Sequence, residues 1–385
     1  MKHIRRALDE QYAIVVVVSA MGRKGDPYAT DTLLGLIEDN GGVLALRERD
    51  LLMSCGEIIS AATLCTMLQS RGISAALLTG AQAGIRTTDH YGDSRIIEVR
   101  TERLLSVLES GKVAVVTGFQ GATAIGEVTT LGRGGSDTTA AALGAALKAE
   151  YIDIFTDVEG ILTADPRIVQ EARPLTRVSY AEICNMAYNG AKVIHPRAVE
   201  VAMSASVPIR IRSTFSDGSG TLVAEPSVLT ESGGGAIADR LITGIAHFPN
   251  VAQIQVSSEN NQYELQLHVF KAMANEGISV DLINVTPSGV AYTVLDSEAE
   301  RAEALLKQMG HAPTVNRGNT KISVIGGGMN GVPGVMAMII EALIEENVVI
   351  LQSADSNTTI WVLVRAADTV KAVNALHRKF QLHLQ

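Results

Sequence analysis

The sequence has few aromatic residues and no surplus of basic ones. Phe, Trp and Tyr make up 4% of its 385 residues, and the formal net charge at pH 7 is −9. Proteins that bind nucleic acid need cationic side chains to neutralise phosphates, and those that bind single strands add aromatic platforms for the bases. We therefore expect no nucleic acid among the main partners of this protein.

Cysteines and long apolar runs are also scarce. The three cysteines, Cys55, Cys65 and Cys184, are scattered, which fits a reducing cytosol better than a disulfide framework or a zinc site. The longest apolar run, around 13–20, is far shorter than the ~20 residues of a membrane span. No N-terminal stretch has the order of a secretory signal. We expect a cytoplasmic protein with no membrane partner.

Several catalytic motifs are missing as well. The sequence contains no GxxxxGK[ST] loop, which argues against a P-loop kinase, and neither HRD nor DFG, which argues against a protein kinase. It has no HExxH and no cluster of Cys and His, so no metal-binding motif is predicted. Any catalysis has to be inferred from other clusters.

The segment 1–223 alternates β-branched apolar runs with helical patterns. Strands are predicted at 13–20, 75–80, 113–119, 151–158 and 208–213. Helices are predicted at 45–68, 95–110, 137–150 and 198–205. Strands that are apolar on both faces and alternate with helices predict an α/β fold, a mainly parallel sheet with helices on both faces. In such sheets ligands bind beyond the carboxyl ends of the strands.

The last third of the chain contains a repeat. VFKAMANEGISVDLI (269–283) aligns without gaps on IIEALIEENVVILQS (339–353). Each copy predicts strand, helix, strand, strand, helix, the order of a small ferredoxin-like module. An extra apolar strand is predicted at 241–247. We assign a catalytic domain to 1–223, a Gly-, Ser- and Pro-containing linker to 224–240, and the two modules to 241–312 and 320–385.

TTLGRGGSDTTAAAL (129–143) sets Arg133, Ser136 and Asp137 around a glycine loop before a predicted helix. Consecutive glycines let backbone N–H groups form an anion nest, and the helix adds its positive end. Arg133 offers a planar fork for a carboxylate or phosphate. The same stretch also fits a glycine turn that Ser136 or Asp137 caps, with Arg133 on the surface.

Three further clusters each permit two interpretations. Glu57, in the small-residue helix SCGEIIS, holds a cationic group such as a substrate amine, or pairs with Arg47 or Arg49. TDVEGILTADPR (156–167) binds the ribose and phosphates of a nucleotide, or is a loop that Asp and Pro cap. Lys192 binds phosphate, or is a solvated surface residue.

Taken in order, VVSAMG, LLMSCGEIIS, LTGAQAG, GFQG, TTLGRGGSDTTAAAL, FTDVEGILTADPRIV, GAKVIHPRAVE and PIRIRSTFSDGSGTLV resemble the motifs of the aspartate kinases, members of the amino-acid kinase superfamily. The repeats resemble that family's paired regulatory ACT domains. The resemblance implies ATP-dependent phosphorylation of the L-aspartate β-carboxylate with Mg²⁺, the first step toward diaminopimelate, lysine, threonine and methionine. It also implies inhibition by diaminopimelate, lysine or threonine, and a homodimer formed through the ACT domains.

The resemblance also assigns residues. Arg133 would pair with the substrate α-carboxylate, Glu57 would hold its amine, and Asp137 would be catalytic, organising a phosphate-binding lysine. The substrate site would further contain Thr30, Gly118, Phe119 and Ser136. The nucleotide would contact Ser19, Ser136, Thr156, Asp157, Leu162, Asp165, Pro166, Arg167 and Lys192. The effector would contact Asp281, Asn284, Gln352 and Ser353.

One family motif, an opening strand with a Lys-Phe/Tyr-Gly-Gly-Thr-Ser loop, does not occur in the sequence. In the family its lysine reaches the transferred phosphate, so without it we expect poor turnover, since losing one such cation costs ~10³-fold or more. Either Met1 is an internal methionine or the product is an effector-binding form with an impaired kinase half. A kinase of glutamate or acetylglutamate is a third alternative, disfavoured by the ACT pair and by Glu57 with Arg133.

Overall fold

The structure, a computed structural model, describes residues 1–38, 44–191, 193–226, 240–257 and 263–384. The described helices are α1 Lys2–Asp9, α2 Thr30–Glu38, α3 Leu46–Gln69, α4 Glu102–Glu109, α5 Gly135–Ala146, α6 Tyr180–Tyr188, α7 Pro196–Ser204, α8 Tyr263–Asn275, α9 Asp296–Gln308, α10 Val335–Glu345 and α11 Thr369–Lys379. The described strands are β1 Val15–Val18, β2 Ala75–Leu78, β3 Ile85–Thr87, β4 Ile96–Val99, β5 Val113–Thr117, β6 Gln120–Ala122, β7 Val128–Thr130, β8 Ile152–Thr156, β9 Arg177–Ser179, β10 Ile209–Ser213, β11 Thr221–Ala224, β12 Gly244–Ser257, β13 Asp281–Thr286, β14 Gly289–Leu295, β15 Thr314–Ile325, β16 Gln352–Asp355 and β17 Thr359–Arg365.

The chain forms two compact units. The first comprises Met1–Phe155, Ile194–Arg210 and Val223–Glu225, and the second comprises Thr156–Val193, Ile211–Leu222 and Pro226–Gln385. A four-stranded sheet of order β8-β10-β11-β9 contains the strands predicted at 151–158 and 208–213. The remaining three sheets each belong to one unit.

A parallel sheet of order β1-β5-β2 forms the centre of the first unit. All five residues of β5 are buried, because helices cover both of its faces. Ala114 and Val116 pack on one face with Leu104 of α4 and Leu143 of α5. Val113 and Val115 pack on the other face, in the cluster that contains Ala61, Cys65 and Leu68 of α3. The predicted α/β fold with helices on both faces is confirmed.

The single helix predicted at 95–110 is wrong. The chain instead forms β4 over Ile96–Val99 and then α4 over Glu102–Glu109. Two adjacent isoleucines favour an extended backbone, and β4 pairs antiparallel with β3, where Ile85 lies opposite Val99. These strands belong to a sheet of order β4-β3-β6-β7, whose short strands the apolar pattern did not predict.

Helix α3 is the one helix in the described part of the chain that is long and apolar enough, by length and composition alone, to cross a membrane. It packs as a core helix here. Its Leu68 is fully buried in the cluster against β5, and its buried carboxylates Asp50 and Glu57 have hydrogen-bond partners within the first unit.

The two repeat copies of the second unit share one six-stranded sheet of order β13-β14-β12-β15-β17-β16. The first copy runs β12-α8-β13-β14-α9 and the second β15-α10-β16-β17-α11, so the predicted element order is confirmed. The separate strand predicted at 241–247 is wrong, because β12 runs without a break over Gly244–Ser257 and pairs along this length with β15. Most of the predicted linker, 227–239, lies outside the described residues.

Candidate active site

A cleft of about 270 Å³ opens in the first unit where the parallel strands β1 and β5 end. This position agrees with the expectation that ligands bind beyond the carboxyl ends of such strands. Its lining residues are Ser19, Ala20, Gly22, Thr30, Glu57, Phe119, Gly132, Arg133, Gly134, Gly135, Ser136 and Asp137. The structure therefore brings together Ser19 and the predicted substrate residues except Gly118, which is the neighbour of Phe119 in the chain.

The glycine loop is held in a form that only glycine allows. Gly134 has φ +68°, and a Cβ built on it would lie 2.2 Å from the Cβ of His195. A Cβ on Gly135 would lie 2.7 Å from the ring of Phe119. The predicted cap by Ser136 or Asp137 is wrong, because Gly134 is the N-cap residue of α5 and no side chain caps this end. Both side chains line the cleft instead, in the first turn of the helix.

Arg133 is the cation of the cleft. Its side chain is exposed, and within the described ranges it forms no hydrogen bond or ion pair. Its neighbours Gly132 and Gly134 both have left-handed backbone conformations, with φ of +72° and +68°. The planar guanidinium therefore has its donors available for a ligand carboxylate or phosphate.

Glu57 is the buried carboxylate of the cleft, and its side chain is 3% exposed. Oε1 accepts a hydrogen bond of 3.0 Å from the backbone N–H of Ala20, while Oε2 has no partner among the described residues. Burial raises the pKa of Glu57 to about 7, against the lowering effect of the Ala20 hydrogen bond. An ammonium group placed at Oε2 would satisfy this oxygen and favour the ionised form.

The alternative pairing of Glu57 with an arginine of its own helix is wrong. Arg47 lies 2.7 Å from Glu48 and 2.6 Å from Glu127, measured between guanidinium nitrogen and carboxylate oxygen. Within the part of the chain that the structure describes, Arg49 does not pair with Glu57 either. Glu57 thus lines the cleft, and its Oε2 has no cationic partner among the described residues.

Asp137 is the second carboxylate of the cleft. Its Oδ2 accepts a hydrogen bond of 3.3 Å from the backbone N–H of His195. Burial raises its pKa, and the His195 hydrogen bond acts in the opposite direction. A cationic group near Asp137 would offset this desolvation.

Gly118 and Phe119 connect β5 to β6 and contact residues of α5. The Gly118 N–H donates to the carbonyl of Val18, and a Cβ on Gly118 would lie 2.8 Å from the Ser136 hydroxyl oxygen. Phe119 has φ +69°, an unusual value for a non-glycine residue, and its N–H donates to Thr139 Oγ1 at 3.1 Å. These contacts fix Ser136 beside the strand end.

The nucleotide residues predicted beyond β8 lie in the second unit. Thr156 ends β8 and donates to Asp157 at 3.2 Å. Asp165 and Arg167 form an ion pair of 2.7 Å, and this pairing holds the pKa of Asp165 below its ordinary value. Leu162 forms an isolated bridge with Pro174, Pro166 is exposed, and Lys192 lies outside the described residues.

The predicted effector residues lie on β13 and β16. Asp281 pairs with the buried Lys321. Gln352 donates to the carbonyl of Leu282, and its Oε1 accepts from Gln253 at 2.8 Å. These polar contacts join Asp281 on β13 to β15, and Gln352 on β16 to β12 and β13. Asn284 and Ser353 are exposed on the same two strands.

The sequence analysis missed three residues that position the cleft. Asp50 accepts from the N–H groups of Gly92 and Thr130, at 3.0 and 2.8 Å. Arg197 donates to the carbonyls of Leu131 and Ser94, at 3.0 and 2.9 Å. His195 packs against Gly134. Asp50 carried the same signal as Glu57, an acid in an apolar helix, whereas Arg197 and His195 carried no signal of their own.

A magnesium ion bound together with a nucleotide keeps several waters and needs only one or two protein carboxylates. Asp137, with the Ser136 hydroxyl beside it, supplies such a donor set in the cleft. Across the described ranges, no group of three or more His, Cys, Asp or Glu residues could hold a metal ion by itself.

Comparison with known proteins gives matches along the whole chain. Residues 1–213 match the amino acid kinase family, and residues 314–378 match the ACT domain. The chain is 58% identical to aspartokinase 1 of Bacillus subtilis (strain 168) over 380 residues, which cover 99% of this chain and 94% of that protein.

Two solved structures of E. coli aspartokinase III are also similar. The complex with aspartate and ADP, in the R-state, has a TM-score of 0.74 and 29% identity, and the match covers 91% of this chain and 79% of that one. The complex with lysine and aspartate, in the T-state, has a TM-score of 0.70 and 28% identity. This match covers 91% of this chain and 80% of that one.

Proposed function

This chain belongs to the aspartokinases of the amino acid kinase family, and on that premise we propose that its cleft binds L-aspartate for phosphorylation of the β-carboxylate by ATP. The observation that carries the proposal is the pair formed by Glu57 and Arg133. Among the described residues, the cleft is lined by a buried carboxylate with one oxygen that has no hydrogen-bond partner and by a guanidinium that forms no ion pair. Such a pair complements the ammonium and α-carboxylate groups of an amino acid.

Each group of the substrate then has a partner of matching charge. Glu57 Oε2 accepts from the ammonium, and Arg133 donates to both oxygens of the α-carboxylate. Thr30 and Ser136 donate hydrogen bonds from their hydroxyls, and Gly118 and Phe119 shape the wall beside them. With both α-substituents held, the β-carboxylate is directed at the glycine loop.

Phosphoryl transfer joins two anions, so positioning and positive potential matter more than a covalent partner. An oxygen of the β-carboxylate attacks the γ-phosphorus of ATP, and the bond from this phosphorus to the bridging oxygen of ADP breaks. The N–H groups of the glycine loop and the N-terminus of α5 stabilise the negative charge that develops. Magnesium, when bound, neutralises phosphate charge, and Asp137 with Ser136 would hold it.

The nucleotide contacts belong to the same proposal. We assign them to Ser19 and Ser136 in the cleft and to residues beyond β8, namely Thr156, Asp157, Leu162, Asp165, Pro166, Arg167 and Lys192. The proposed catalytic domain is 1–223, which includes these residues, and the proposed ACT domains are 241–312 and 320–385. The complex of E. coli aspartokinase III with aspartate and ADP supports nucleotide use.

We assign feedback control to the ACT pair. Asp281, Asn284, Gln352 and Ser353 would bind an amino-acid effector, diaminopimelate, lysine or threonine, and E. coli aspartokinase III has been solved with lysine. The reaction would open the pathway to diaminopimelate, lysine, threonine and methionine. We propose a homodimer formed through the ACT domains, and the exposed Ile283 and Val285 on the edge strand β13 support it.

The test of this function combines turnover with binding. Hydroxylamine traps aspartyl phosphate as a hydroxamate, and calorimetry measures L-aspartate affinity independently of turnover. We expect slow formation of hydroxamate from L-aspartate and ATP, since the lysine motif does not occur in the sequence. We also expect an affinity for L-aspartate lower by about 100-fold or more in Arg133→Ala, because a charge-assisted bidentate contact is lost. Arg103→Ala, at an exposed position on α4, is the matched control and should bind like the wild type.

Two outcomes would contradict the proposal. Hydroxamate formed from L-glutamate but not from L-aspartate would identify another amino-acid kinase. Equal aspartate affinity in Arg133→Ala and in the wild type would remove Arg133 from the site. Effector binding without any turnover would favour the regulatory form.

A further inference from the structure

The segment Ile161–Arg173, which we call the 161–173 loop, is built into the core of the second repeat copy. Its Ala164 and Val169 are 4% and 2% exposed, and they belong to the same buried cluster as Ala372, Val373 and Leu376 of α11. Ile168 and Ala172 pack against this cluster as well. The loop that carries the proposed nucleotide residues Leu162, Asp165, Pro166 and Arg167 is therefore part of the packing of the last helix.

Polar contacts fix the loop to this helix and to the residues that follow it. His377 Nε2 lies 2.9 Å from Thr163 Oγ1, and both side chains are almost completely buried. Asn374 donates to the carbonyl of Ile168 at 3.1 Å. Arg173 donates through Nε to the carbonyl of His383 at 3.2 Å. These contacts lie near both ends of the loop.

Thr163 is the residue on which the loop conformation depends. Its N–H donates to the carbonyl of Arg173 at 2.9 Å, and its Oγ1 accepts from the N–H of Arg173 at 3.0 Å. Its carbonyl accepts from the N–H of Ile245 in β12 at 2.8 Å. Thr163 thus closes the loop upon itself and joins it to the six-stranded sheet, and His377 holds its side chain.

The state of His377 follows from its two ring nitrogens. Nδ1 is buried without a hydrogen-bond partner among the described residues. Nε2 and the Thr163 hydroxyl therefore make the one side-chain hydrogen bond of the ring within this part of the chain, and the tautomer of the neutral ring decides which of the two donates. Burial and the neighbouring His383 lower the pKa of His377, against the raising effect of Glu171.

We propose that His377 is a positioning residue for the nucleotide: by holding Thr163 it fixes the 161–173 loop, and the last helix of the second copy thereby sets the affinity for ATP. The proposal rests on the proposed function, since it takes Leu162, Asp165, Pro166 and Arg167 as nucleotide contacts. Under this proposal, the second repeat copy affects the affinity for ATP and does not affect the affinity for aspartate. Aspartate contacts, which lie around Glu57 and Arg133, should not depend on His377.

The experiment compares three variants. His377→Leu and Thr163→Val each remove the buried hydrogen bond with little change in volume, whereas His377→Gln retains a donor amide. We expect the first two to raise the KM for ATP and the dissociation constant of ADP about 5- to 10-fold, with the KM for aspartate within twofold. His377→Gln should restore most of the nucleotide affinity. The double variant should be no worse than Thr163→Val alone, because that substitution already removes the contact with His377, together with the hydrogen bond from the Arg173 N–H.

A matched control separates positioning from general loss of stability. Leu306 in α9 occupies the position in the first copy that Leu376 occupies in the second, and it is fully buried in the core of the first copy. Leu306→Val should lower the melting temperature and leave the KM for ATP unchanged. If His377→Leu does not fold, Asn374→Ala replaces it, because this half-buried side chain holds Ile168 and its removal should raise the ADP dissociation constant two- to threefold.

The two proposals fail in different ways. No ADP binding and no hydroxamate with the wild type would overturn the proposed function. Suppose that the wild type binds ADP normally and that Thr163→Val and His377→Leu bind it with the same affinity as the wild type. This result would overturn the role of His377. A parallel change in the KM values for ATP and for aspartate would also contradict it.

Discussion

At the scale of single residues, Glu57 shows the strongest conflict between environment and charge. It is 3% exposed, and one of its carboxylate oxygens has no hydrogen-bond partner in the part of the chain that the structure describes. A group chosen for stability alone would be apolar at this position or would have an internal cation. The carboxylate therefore lowers the stability of the unliganded protein and is retained, in our account, for the substrate ammonium.

The pKa of Glu57 gives a prediction with a defined sign. Its folded-state pKa, about 7, lies above the ordinary value of 4.5. The stability contributed by the protonated carboxyl is therefore present below pH 4.5 and lost as the pH rises through about 7, by up to about 3 kcal/mol. Glu57→Gln should have a free energy of unfolding at pH 8 at least equal to that of the wild type, as measured by urea denaturation.

The same substitution should weaken the binding of aspartate. Because the ammonium requires an ionised partner, the affinity of the wild type for aspartate should rise with pH up to a plateau above about pH 7. Glu57→Gln should bind at least about 30-fold more weakly and lack this dependence. The control is Glu109→Gln, at an exposed position on α4, which should bind aspartate like the wild type. An unchanged pH profile in Glu57→Gln would contradict the assignment.

At the scale of elements, the turn into α5 decides whether the cleft exists. Gly134 combines φ +68° with a contact to His195 that leaves no room for a Cβ. Arg197 and Asp50 hold the segment that precedes this turn, through the carbonyl of Leu131 and the N–H of Thr130. The geometry of Arg133 and Ser136 follows from these supports.

Gly134→Ala should therefore disrupt the site more than the strain of a positive φ alone would, because the new Cβ would also clash with His195. Gly126 is the matched control, since it has φ +91° and a Cβ placed on it would meet no atom within 4 Å. Gly126→Ala should cost about 1 kcal/mol and retain aspartate binding. Gly134→Ala should cost about 1–3 kcal/mol more and abolish binding, as thermal unfolding and calorimetry would measure. Equal effects of the two substitutions would contradict the role of the His195 contact.

The elements also show what the sequence could predict. Apolar runs sufficed to predict β1, β2 and β5, since a strand covered on both faces needs no alternation of apolar and polar residues. The segment at 96–99 was wrongly predicted as helix, because its strand conformation depends on pairing with β3. Glu57 could be recognised as unusual, but its partner could not. Arg197 could not be assigned at all, because its acceptors lie 66 and 103 residues away in the chain.

At the scale of the whole molecule, the chain repeats one module and joins the copies through β12 and β15 in one sheet. The internal repeat predicted the order of elements in each copy but not this central pairing. Nor did it predict that the 161–173 loop belongs to the core of the second copy. Both depend on contacts between segments far apart in sequence, which a local pattern does not contain.

The central claim is that the cleft of the first unit recognises a free amino acid through Glu57 and Arg133. Calorimetric titration of the wild type and of Glu57→Gln with L-aspartate, succinate and L-glutamate tests it most directly, because succinate is aspartate without its ammonium group. We predict that the wild type binds L-aspartate at least about 30-fold more tightly than succinate and about 10-fold more tightly than L-glutamate, and that Glu57→Gln no longer distinguishes aspartate from succinate. Equal affinity of the wild type for aspartate and succinate would contradict the account.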